Sequence, residues 1–199
     1  MIEYFEKPDW ISWEEIRSFL FEAHAANREK GIVMSHYQWP AEKIKESLGE
    51  NGMMLVAVDG HKLVGTAAIA EKYGSCWYAK GRYAYECYAG VLPDYAGRGI
   101  FKHLEIKREE LARTQGYKIL VGDTHAKNKH RQEIALKNGF RTVRFFRAKS
   151  NDHYSVVYVK WLDQCPYSAF YCNYKYQTSK AKAIIRTKLS SSISFIKRK

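Results

Sequence analysis

Gly97 and Gly99 flank Arg98 in "VLPDYAGRGIFKHL", where a strand-like run gives way to an amphipathic one. Glycine tolerates φ > 0, so the pair can serve as a tight turn. A glycine turn that opens a helix also bares backbone N–H groups, and the helix dipole makes that end attractive to phosphate. The stretch alone leaves both uses open. His125 closes the strand-like "KILVGDTH", where it could line a cleft or stand as a hydrogen-bonded or solvated ring. His36, Tyr37 and Trp39 form an aromatic, hydrogen-bonding run that would suit a sugar ring or simply local core. Cys76, Cys87, Cys165 and Cys172 form no C-x-x-C pair and have no histidine at metal-ligand spacing, which points to reduced thiols and no metal.

The elements that must position these residues follow from periodicity. "IEYFE" reads as a short strand. Ser12 with Glu15 makes a capping box, and Ile16, Phe19, Leu20 and Ala23 continue a helical face toward Lys30 and Gly31. Pro40 opens a second, short helix. Asp59-Gly60 between two apolar runs is a hairpin signal, and "YAYECYAGVL" is the next strand, leading into the glycine turn. Ile100, Leu104, Leu111 and Ala112 mark a helix ending at Gly116. "KILVGD" is a central strand, "NKHRQEIALKN" a helix stopped by Gly139, and "RTVRFFR" and "YSVVYVKWL" are two closing strands. Strand runs alternating with helices imply an α/β or α+β layer with mixed strand directions.

With 199 residues the chain is long enough for one domain and a tail. Its apolar runs fall short of the ~20 residues that span a bilayer, and "MIEYFEKPDW" is no signal peptide; a cytoplasmic location is expected. The net charge of +12 is uneven, because no acidic residue follows Asp163 while eight basic residues do. Such a tail suits an anionic surface or a second subunit, or is a solvated end. Its serine-rich stretch should leave any helix there marginal, so 178–199 is expected to be mobile until a partner orders it. No specific nucleic-acid signature accompanies the charge.

A hairpin, a strand, V-x-P, a glycine turn, a helix, a strand, and a helix that starts near Asn128 and ends in K-x-G-F resemble, in that order, the GNAT superfamily of acyl-CoA-dependent N-acyltransferases. The resemblance spans roughly 2–162, and implies a mixed central sheet of about six or seven strands flanked by about four helices. It divides the chain into a GNAT-like domain, 1–162, and a basic, aromatic-rich extension, 163–199. The family's Q/R-x-x-G-x-G/A pattern falls on Ala96, Gly97, Arg98, Gly99, Ile100 and Phe101. Gly99 matches; Ala96 and Phe101 depart from it.

The resemblance implies acetyl transfer from acetyl-CoA to a primary amine by direct attack. Ala96, Gly97, Arg98, Gly99 and Ile100 would hold the pyrophosphate, a backbone N–H near Ala89 to Val91 would polarise the thioester, and Asn128 would reach the pantetheine. Glu86 would take the amine proton or be a paired structural carboxylate. Because the family's tyrosine falls on Ala135, either CoA leaves as a stabilised thiolate or Tyr154, Tyr158 or His153 supplies the proton, while His125 is a catalytic candidate lining the cleft. The acceptor site would involve His36, Tyr37, Trp39 and the loop "AKSNDH", with a small amine such as an amino sugar as acceptor. Two alternatives are a protein or peptide amine as acceptor, and a non-catalytic acyl-CoA-binding module with a basic partner-binding tail. Oligomerisation stays open.

Overall fold

The computed structural model describes residues 1–32, 34–148 and 153–196, with side chains to Thr187 apart from that of Ser35. Seven strands form one sheet: β1 (Ile2–Glu6), β2 (Met53–Asp59), β3 (Lys62–Cys76), β4 (Ala79–Val91), β5 (Ile119–His125), β6 (Arg141–Arg147) and β7 (Tyr154–Trp161). Their order is β1-β2-β3-β4-β5-β7-β6. The helices are α1 (Trp13–Ala23), α2 (Ala25–Glu29), α3 (Ala41–Leu48), α4 (Ile100–Thr114), α5 (Lys129–Lys137) and α6 (Ala169–Ile196). The mixed GNAT-like α/β layer is as expected, with six helices where about four were foreseen.

Asp59 and Lys62 pair across the β2–β3 turn, with Gly60 at φ 62°, as the Asp-Gly signal implies. α4 packs so closely on β3 that a Cβ on Gly65 would meet Ile100 at 2.9 Å and Leu104 at 3.0 Å. That contact seats the glycine turn against the sheet. Every neighbouring pair is antiparallel except β4 with β5. Those two pair only at Ala84–Leu120 and Tyr85–Val121, and then part company. Beyond Tyr85, β4 carries an extra residue relative to β3, and Tyr88 sits at φ 49° with its carbonyl bound by the Thr66 hydroxyl. The bulge bends β4 away from its neighbour and opens the sheet.

The first helix is broken at His24 rather than running on to Lys30. Its ring reaches β4, where Nε2 meets the Ala89 carbonyl oxygen at 2.9 Å, and the backbone leaves the helical region there (φ −103°, ψ 15°). The extension also differs from the expected mobile end. β6 is an edge strand, and the Phe145 N–H donates to Ser179 Oγ on α6 at 2.8 Å. Cys172 is buried, and Tyr176 meets the Phe145 ring edge-on. A helix that is marginal alone is held by covering the unpaired strand edge. All four cysteines are free thiols.

Candidate active site

A cleft of about 910 Å³ opens where β4 and β5 separate. One end is the start of α4. Gly97 (φ 77°) and Gly99 (φ 78°) both adopt the left-handed conformation that side chains resist, with open space where each Cβ would stand. Gly99 is the N-cap of α4, so the first amides of that helix have no intrahelical acceptor. Ala96, Gly97, Gly99, Ile100, Phe101 and Lys102 line this end, and His130 and Lys137 of α5 also line the cleft; the sequence did not single out these last three. Arg98 is turned aside: it donates to the Asp94 carbonyl at 3.0 Å and lies over the Tyr95 ring. Asn128 lines the cleft and caps α5, its Oδ1 accepting from the Arg131 N–H at 3.2 Å. Open backbone donors beside lysines fit the pyrophosphate of a nucleotide cofactor, and backbone donors tolerate Ala96 and Phe101.

In the middle, Glu86 on β4 is buried and both of its oxygens are engaged, with Arg108 at 2.9 Å and Arg131 at 3.0 Å. Glu105 pairs with the same two guanidinium groups, which makes a quartet of two acids and two bases with no net charge. Burial pushes the Glu86 carboxyl up, Arg108 pulls it down and Glu105 pushes it up again. Arg108 is the largest side chain excluded from solvent, and its Nε and Nη1 have no partner among the described residues. No local signal marks Arg108; the sequence shows only an i, i+3 Glu-Arg pair on a helix.

Tyr158 lines the cleft from β7, directly under Gly122, whose missing side chain leaves room for the ring. Burial raises its pKa, so the hydroxyl stays protonated, and the Arg131 guanidinium lies 4.9 Å from the ring. Asp123 also faces the cleft and accepts a hydrogen bond from the Tyr85 hydroxyl; burial holds its pKa above the usual carboxylate value.

The other end is built from the break between α1 and α2 and from the 3-10 turn at Ser35–Gln38. His24, His36 and Trp39 line it with Tyr88, and the His36 ring meets Tyr88 edge-on at 5.3 Å. Tyr37 is behind, 4.9 Å from His36 and 5.6 Å from His24. Three enclosed polar atoms here have no partner among the described residues: His24 Nδ1, His36 Nε2 and Tyr37 Oη. A carbonyl only accepts, so the bond to Ala89 assigns the His24 proton to Nε2. Burial keeps the ring neutral, with Ala89 opposing and Arg28 assisting, and Nδ1 is then a bare lone pair. A β-strand carbonyl 65 residues away created this acceptor, and nothing local to His24 reveals it.

Two candidates lie elsewhere. Tyr154 donates to Thr187 Oγ1 at 2.8 Å and stacks on Phe145, outside the cleft lining. His125 is buried, stacks 4.5 Å from His153, and its Nδ1 accepts the Lys127 N–H at 3.0 Å. His153 and Val91 line the cleft. Of the "AKSNDH" loop, residues 149–152 lie outside the described ones.

Comparisons with known proteins agree with this fold. No curated protein matches the chain. A GNAT-family acetyltransferase from Staphylococcus aureus Mu50 superimposes with a TM-score of 0.64 at 20% identity, covering 82% of this chain and all of that one. An acetyltransferase from Salmonella typhimurium, solved with its cofactor acetyl-CoA, gives 0.60 at 13% identity, covering 84% and 98%. The ribosomal-protein-S18-alanine N-acetyltransferase of Escherichia coli gives 0.58 at 14%, covering 83% and 96%. The profile of the acetyltransferase (GNAT) family matches residues 10–140. With that match over more than half of its length, the chain belongs to the acetyltransferase (GNAT) family, whose acetyl donor is acetyl-CoA.

Proposed function

We propose that the protein acetylates a primary amine on a small, polar, ring-bearing molecule such as an amino sugar, by direct attack on the thioester. The observation that carries this reading is the pair of polar atoms on cleft-lining rings that have no partner among the described residues, His24 Nδ1 and His36 Nε2, with the Tyr37 ring behind them. A buried polar group without a partner costs about 1–3 kcal/mol, so this end favours a guest that brings hydrogen bonds. A sugar ring offers both hydroxyl groups and a face that stacks on aromatic side chains.

The N–H groups at the start of α4 hold the donor's pyrophosphate, supported by Lys102 and Lys137. The unpaired edge of β4 past Tyr85 supplies backbone donors near Ala89 to Val91 for the thioester oxygen, where charge builds during attack. His24 Nδ1 accepts the amine proton, since it is neutral at pH 7 and needs no prior deprotonation. Glu86 keeps Arg108 and Arg131 in place beneath the reacting groups. Tyr158 donates its proton to the departing sulfur in place of the tyrosine that Ala135 lacks.

The test is calorimetry with acetyl-CoA, followed by thiol release on a panel of amino sugars, polyamines and peptide N-termini. Turnover confined to peptides would overturn the acceptor class. Gly99→Asp adds bulk at φ 78° and a negative charge beside the pyrophosphate, and should weaken acetyl-CoA binding at least tenfold. Unchanged affinity in a folded Gly99→Asp variant would overturn the phosphate assignment.

A further inference from the structure

α6 has two unlike sides. The side on β6 and β7 carries Cys172, Tyr176, Ser179 and Thr187, which are buried or bonded to Phe145 and Tyr154. At 100° per residue the opposite side holds Phe170, Tyr174, Ala181, Ile184 and Ile185, with Gln177 as its one polar member among the residues whose side chains are described. Phe170 is 81% exposed, Tyr174 57% and Ile185 56%, values that leave large apolar surfaces in water. The same geometry places Lys182 along one border of this stripe and Lys180 along the other, with the exposed Arg186 farther round toward the packed side. No acidic residue follows Asp163, so the helix has no carboxylate of its own to neutralise them.

We propose that this face of α6 lies on an anionic phospholipid surface and attaches the enzyme to it reversibly. Apolar side chains bordered by lysine, with an aromatic pair at one end, match the boundary between acyl chains and charged headgroups. A second copy of this helix fits poorly, because a twofold contact would bring like charges together with nothing between them. A bare phosphate backbone would meet the basic borders and leave Ile184 and Ile185 wet. No helix among the described residues is long and apolar enough to cross a membrane, so attachment is peripheral. The cleft is not lined by α6, and attachment leaves it open to a soluble donor.

The full chain should float with vesicles of phosphatidylcholine containing about one third phosphatidylglycerol, weakly with phosphatidylcholine alone, and less at high salt. Replacing Lys180, Lys182 and Arg186 together with Gln should weaken binding roughly 10²-fold, at about fivefold per charge. Phe170→Ser with Ile185→Ser should weaken it at least tenfold, while thiol release with a soluble amine stays unchanged in both variants. Phe170, Ile185, Lys182 and Arg186 are exposed and Lys180 is half-buried, so circular dichroism and urea unfolding should show both variants folded like the parent. Failure of the parent chain to float at low salt, or flotation of either variant equal to the parent's, would overturn the proposal. So would a dimer that Phe170→Ser and Ile185→Ser dissociate in the absence of vesicle binding.

Discussion

His24 and Ala89 are joined by one hydrogen bond, Nε2 to carbonyl oxygen at 2.9 Å, between the end of α1 and the bulged part of β4. Gly90 makes the approach possible, since a Cβ there would stand 3.2 Å from His24 Nε2. The bond sets the tautomer, and the tautomer turns a buried ring into a proton acceptor.

His24→Ala should therefore lower turnover by roughly 10²–10⁴-fold with acetyl-CoA affinity little changed. Because burial depresses the His24 pKa, the enzyme's own contribution to the acid limb should lie below pH ~6.5, separate from the titration of the acceptor amine above it. A pH–rate profile on a soluble amine reads both; a His24→Ala enzyme within a few-fold of the parent would remove the ring from the reaction.

Glu86→Gln separates support from catalysis. The substitution leaves Arg108, 1% exposed, with Glu105 as its remaining acid partner, and breaking a buried pair of this kind costs about 3–5 kcal/mol. Urea unfolding should show a loss of roughly that size, reduced somewhat by the hydrogen bonds that Gln keeps. An equally stable Glu86→Gln protein with turnover down 10²–10⁴-fold would instead make Glu86 the base.

Tyr158→Phe removes the proposed proton donor while keeping the ring under Gly122. Turnover with acetyl-CoA should drop on the order of 10²-fold, and the loss should shrink when the donor carries a more acidic thiol as leaving group. A loss that is the same for both leaving groups would assign Tyr158 to packing.

Acid should destabilise the fold through the two histidines at the acceptor end. Burial pushes His36 down to about 3, with His24 contributing, and lowers His24 as well. Unfolded, both rings take up protons below pH ~6.5, while in the folded chain His36 holds off to about 3 and His24 to below its usual value. Their contribution is complete above 6.5 and falls with pH by about 1.4 kcal/mol per unit for each ring still neutral. Between pH 7 and 5, His36→Phe should lose about 2 kcal/mol less than the parent in urea titrations. Equal losses would show that the His36 ring is already solvated in the folded state.

Local rules made part of this protein legible from its sequence. The turn at Gly97 and Gly99, the Asn128 cap and the Asp59-Gly60 hairpin depend on φ and on atoms a few residues apart, so residue type alone specifies them. Strand and helix periodicity likewise carried the order of the elements and, through it, the family resemblance. The chemistry at the acceptor end was not legible. His24 acts through a carbonyl on β4, Arg108 joins Glu86 across two elements, and Tyr158 occupies the space left by Gly122 on another strand. Tyr154 and His125, plausible by position, are not among the residues that line the cleft: Tyr154 is bonded to Thr187 on α6, and His125 stacks behind the cleft-lining His153. The end of the chain shows the same division: helix propensity made 178–199 marginal, whereas the unpaired edge of β6 gave α6 contacts that propensity does not count. Short-range geometry is written in residue type, but long-range partners exist only once the sheet has brought distant backbone together.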